Sequence, residues 1–151
     1  MMAGRAGKST MGREVRMVPP NWEHPKDSES WRAERGDLQP MFDEQYEAVR
    51  DRWIAGLIAH NRDENDGYDF WEWEGGPPER VMYRPWKDEE ATWFQLWETV
   101  SEGTPVSPPF ATRDELARYL AEHGDFWDEK RGAGGWGAER AKAFVLLGWA
   151  P

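Results

Sequence analysis

KDEEATWFQLWETVSEG, residues 87–103, decides how the chain is read. It opens on Asp88, Glu89 and Glu90, acids that suit the positive end of a helix dipole. Trp93, Leu96, Trp97 and Val100 follow at the three- and four-residue spacing of one helical face, and Gly103 stands beyond the end. The spacing predicts a helix, and with that helix in place the fold is mainly α.

Outward from this stretch the same periodicity recurs. Phe42, Tyr46, Val49, Trp53, Ile54, Leu57 and Ile58 predict an amphipathic helix that ends near His60, where the polar NRDENDG begins. Downstream, Thr112 and Glu115 form a capping box ahead of Leu116, Tyr119 and Leu120, with Gly124 as the stop. GDFWDEKRGAGGWG then reads as a flexible glycine-rich loop, and AERAKAFVLLG, with Ala141, Phe144 and Val145, predicts a closing helix. Between the first two helices lies DGYDFWEWEGGPPERVMYRPW, residues 66–86. There Phe70, Glu72 and Glu74 alternate with Trp71 and Trp73, GGPP breaks the chain, and ERVMYRP offers a second extended piece. The expectation is a mainly α domain, with α+β left open, of about four helices around a small Trp-rich unit, two-stranded or looped. Residues 1–40, with MVPPNWEHP and RGDLQP, read as an extended Pro-rich arm whose first ten residues are loosely ordered. Translation could begin at Met1 or Met11. Residues 41–151 form a single acidic globular domain.

Composition narrows the class. Charged residues make up 32% of the 151, a level seen in disordered chains, but eleven Trp, six Phe and four Tyr supply apolar area that such chains lack, so the protein should fold. There is no cysteine, which excludes disulfides, zinc-thiolate sites and thiol nucleophiles. No apolar run has the length of a membrane span, and the basic N-terminus lacks the apolar stretch of an export signal, so a soluble protein is expected. The net charge of −10 is uneven: residues 1–35 carry seven Lys/Arg against five Asp/Glu, and residues 36–151 carry twelve against twenty-four. A body of −12 repels phosphate and favours partners with basic surfaces over direct contact with nucleic acid.

No catalytic constellation emerges. His24, His60 and His123 stand apart in unrelated contexts without a metal-site spacing; Trp22 and His24 in NWEHP read as an arm plug and a turn cap. Carboxylate pairs are too abundant to single out an acid and base, and GGPP and GAGGWG lack the spacing of a phosphate cradle. Neither a metal nor a cofactor is expected. The tryptophans carry the signal. Trp53, Trp93 and Trp97 fall on helical apolar faces and read as core, whereas Trp127 and Trp136 sit in loops. Trp71, Trp73 and Trp86 flank a turn, either as plugs or as interface anchors, among Glu72, Glu74, Asp88, Glu89 and Glu90. These eight residues are the candidate partner-binding set.

The series REVRMVPPNWEHP, LQPMFDEQYEAV, FWEWEGGPP, YRPW, WETVSEGTPVSPPFAT, GDFWD and AFVLLGWAP resembles a family of uncharacterised proteins of tailed bacteriophages and prophages. The resemblance brings no activity and no site residues. What it implies is a setting: the host cytoplasm, and an acidic, non-enzymatic protein that occupies a basic host surface, as an inhibitor of CRISPR or restriction systems would. A virion or assembly component, and after it a phage enzyme of unknown reaction, are the alternatives.

Overall fold

The computed structural model describes residues 12–26, 38–63, 69–99 and 102–147. The expected loose extension at residues 1–10, and Val100 of the expected second helix, lie outside them, as does the side chain of Trp73. In chain order the elements are β1 (Arg13–Val18), β2 (Phe42–Gln45), α1 (Tyr46–Asp63), α2 (Phe70–Glu74), β3 (Tyr83–Arg84), β4 (Trp93–Glu98), β5 (Thr104–Pro105), α3 (Arg113–His123), α4 (Phe126–Arg131) and α5 (Ala138–Leu147), with single 3-10 turns at Arg80–Met82 and Asp88–Glu90.

The mainly α expectation is overturned: the fold is α+β, and the stretch that decided the reading is the middle of a sheet. β4 lies between β1 and β5, antiparallel to both, with Arg13 opposite Glu98 and Val18 opposite Trp93. The cause of the misreading is burial on two sides. Trp93, Gln95 and Trp97 point to one face of β4, and Phe94 and Leu96 to the other, and both faces are covered. A strand apolar on both faces loses the alternation that identifies strands, and its aromatics fall by chance at helical spacing. The acids ahead of it make only a 3-10 turn, with the Lys87 amide donating to Glu90 Oε1 at 2.7 Å.

One face of the sheet carries α3 and α5. Leu96 and Val106 pack there against Leu116, Ala117, Leu120, Ala141, Phe144 and Val145. On the other face, Val18, Met41, Trp86, Ala91 and Trp97 form a second core, flanked by Trp22 and Trp93. Trp97 is almost wholly buried, and at about 25 cal/mol per Å² an indole of roughly 200 Å² contributes about 5 kcal/mol. Its N–H donates to Gln95 Oε1 at 3.0 Å, and the Gln95 amide in turn donates to Ser107 O at 2.9 Å. Within the stretch expected as an extended arm, residues 13–18 are a strand of this sheet. Arg16, itself buried, donates to Met41 O at 2.7 Å and to Glu102 O at 3.0 Å, and stacks 4.3 Å from the Trp97 ring centre. Gly103 (φ +112°) is held to glycine by this residue, since a Cβ there would lie 2.6 Å from the Arg16 guanidinium.

Three more corrections follow. The FWEWE segment is the short helix α2, not a strand: Asp69 caps it by accepting from the Trp71 amide at 2.8 Å, and Gly75 (φ +89°) ends it. The extended piece YR does enter a small sheet, as β3, but its partner is β2, in parallel. The glycine-rich segment expected as a flexible loop holds α4, followed by a turn that closes the end of α3. Trp136 and Gly137 amides donate there to Leu120 O, which also accepts from the Gly124 cap amide, and to Ala121 O, at 2.9 and 3.1 Å.

Candidate protein-binding surface

α1 is long and poorly covered. Of its residues with described side chains only Val49 is buried, and its apolar stripe ends in Ile54 and Ile58, the latter 53% exposed. What covers the rest of the stripe is α2. Trp53 meets Phe70 and Trp71 edge-on at 5.5 and 5.6 Å between ring centres, and His60 lies 5.7 Å from Phe70. The Trp53 indole N–H donates to Gly75 O at 3.1 Å. The close approach depends on Gly56, where a Cβ would sit 3.1 Å from the Phe70 ring.

This packing buries Phe70 and leaves Trp71 standing out, 53% exposed, with Glu72 and Glu74 exposed on the same turn. Beside it is a concavity of about 480 Å³ lined by Trp53, Phe70, Tyr83, Arg52 and Glu74. A second, of about 430 Å³, adjoins it at Val49; Asp43, Glu44, Asp88 and Glu89 line it against the cations Arg84 and Lys87. An indole face with carboxylates at its edge is suited to a guanidinium, which can stack on the ring while its N–H groups reach the acids.

The eight residues singled out in the sequence therefore divide. Trp71, Glu72 and Glu74 come together at the surface. Asp88, Glu89 and Glu90 are exposed on a separate turn, where Asp88 pairs with Arg84 at 2.9 Å and Glu90 caps Lys87. Trp86 is corrected out of the set: only 4% exposed, it packs edge-on against Trp22 at 4.5 Å in the second core, and a side chain so placed reaches no partner. Trp73 belongs to α2 by its backbone alone. Sequence reasoning did not single out Ile54 and Ile58, which it read only as part of the amphipathic stripe, nor Asp43, Glu44 and Tyr83. The amphipathic stripe of α1 was visible; nothing in it says that the stripe outruns its cover.

The other chemistry-bearing groups serve the fold. Trp22 Nε1 donates to His24 Nδ1 at 3.1 Å, so the ring proton belongs on Nε2, which donates to Gln39 O at 2.6 Å. Tyr119 donates to Glu129 at 2.6 Å, and burial first, then that carboxylate, raises its pKa above the ordinary phenol value. Among the described residues no group of three or more His, Cys, Asp or Glu is placed to hold a metal ion, and no helix is long and apolar enough to cross a membrane. No protein family, curated protein or solved structure matches the chain.

Proposed function

We propose that this is a non-enzymatic binding protein that docks the α1–α2 surface onto a basic surface of a host protein. In the phage setting implied by the sequence resemblance, that partner is a nucleic-acid-binding defence protein and the outcome of docking is inhibition. The observation that carries the reading is Trp71: a half-exposed indole on a capped turn, rimmed by Glu72 and Glu74 and packed edge-on against Trp53 of α1, a helix on which Ile54 and Ile58 are also exposed. Large exposed apolar side chains gathered in one place mark interaction surfaces in soluble proteins, and indole is the commonest hot-spot side chain. The net charge of −10 supplies the long-range attraction to a basic groove.

Capture from bacterial host lysate tests it, run in parallel with wild type, Trp71→Ala and the double variant Glu72→Lys/Glu74→Lys. The expected result is a protein with a basic nucleic-acid-binding groove, retained by wild type at 0.1 M salt, lost near 1 M where the screening length falls to about 3 Å, and retained by neither variant. Equal retention by all three proteins would overturn the reading, and a captured virion protein would move the function to particle assembly.

A further inference from the structure

The main sheet ends in an open edge at β1, whose groove shares Asp43, Arg84 and Asp88 with the acidic concavity described above. Thr99 donates to Gly12 O at 2.7 Å, and the register places Gly12 opposite Thr99, so Glu14, Arg16 and Val18 are the residues whose amides and carbonyls face β4. The amides and carbonyls of Val15 and Met17 therefore point the other way. The far side of β4 agrees: Phe94 and Leu96, opposite Met17 and Val15, turn their backbone groups to Phe110 and Val106. Among the described residues nothing pairs with the outward groups of Val15 and Met17. They open instead into a groove of about 420 Å³. Its walls are Asp43, Arg84 and Asp88 on one side and Arg113, Leu146 and Leu147 on the other.

We propose that this groove takes an extended peptide segment of a partner, added to β1 as a fourth strand of the sheet, with an apolar and an acidic residue two positions apart. Added strands gain affinity from main-chain hydrogen bonds and selectivity from alternate side chains. The apolar residue sits on Met17, Leu146 and Leu147, three exposed apolar side chains. The acidic residue is set by charge. Arg84 is matched by Asp43 and Asp88, both at 2.9 Å, and Arg16 by Glu14. Arg113 stacks on Phe94 at 4.6 Å and donates to Val145 O at 3.0 Å, and among the described residues no carboxylate pairs with it. The three arginines and the three carboxylates that serve them balance, so the preference of this groove for an acidic side chain rests on Arg113 alone.

Selection from a random-peptide display library tests the proposal, with the full chain as bait. Met17→Pro removes only an outward amide and an exposed side chain, leaving the β1–β4 ladder in place. Enriched peptides should carry the apolar-x-Asp/Glu spacing, bind Met17→Pro at least tenfold more weakly, and lose their acidic preference against Arg113→Glu. On wild type, bound peptide should slow amide exchange at Val15 and Met17, a readout that stands even if Met17→Pro fails to fold. Failure to enrich any peptide, enriched peptides that leave those two amides exchanging freely, or sedimentation showing the edge closed by a second copy of the chain would each overturn it.

Discussion

At the scale of single residues, the account rests on which polar groups are answered inside the fold. Asp128 is the clearest case. Partial burial pulls its carboxyl upward, but hydrogen bonds from Trp136 Nε1 at 2.8 Å and from the Asp125 amide at 3.1 Å, with Arg131 beside it, hold it below the ordinary carboxylate value. A carboxyl whose folded pKa is depressed adds stability that is present above about 3.9 and is lost as pH falls through the folded value. Asp128→Asn should therefore lower stability at neutral pH by about 1–2 kcal/mol, partly screened by solvent, and the gap to wild type should narrow as pH falls below about 4. Urea titrations at pH 7 and pH 3.5 check both halves; a gap of equal size at both would remove the charge from the explanation. Individual side chains were the least legible part of the sequence. Trp71 and Trp86 stand in similar aromatic and acidic company, yet one is exposed and the other buried, because Met41 and Trp22 arrive over Trp86 from distant parts of the chain.

Elements with local signals were readable, and those whose identity depends on distant partners were not. α3 shows the first kind: Thr112 Oγ1 accepts from the Glu115 amide, and a Glu115 carboxylate oxygen accepts from the Thr112 amide, both at 3.1 Å, as the four-residue motif implies. Thr112→Ala should cost about 1 kcal/mol and lower the melting temperature by about 2–4 °C in a chain of this size. Calorimetry checks it, and an unchanged midpoint would mean that packing against α5 alone fixes the start of the helix. β4 shows the second kind. Its residues carry no local strand signal, and only β1, some eighty residues earlier, together with the two cores makes them a strand. α2 erred in the opposite direction: five alternating residues looked extended, while its cap at Asp69 and its stop at Gly75 decided for a helical turn.

At the scale of the whole molecule, the sheet packs with α3 and α5 around one core, and α1 with α2 carries an apolar and acidic face outside it. Composition made the acidity and the aromatic content legible, but not that Trp71, Glu72 and Glu74 would share a surface from which Trp86 is withdrawn. The central claim is that this surface, rather than net charge alone, makes contact with a basic partner. Stopped-flow association with the captured partner tests it most directly, comparing wild type with Glu72→Lys/Glu74→Lys and with Trp71→Ala across ionic strengths from 0.05 to about 0.5 M. The account predicts that the double charge reversal slows association about tenfold at low salt and flattens its salt dependence. Trp71→Ala should leave association nearly unchanged and speed dissociation by tenfold or more. Association rates, salt slopes and dissociation rates that are the same for all three proteins would contradict it.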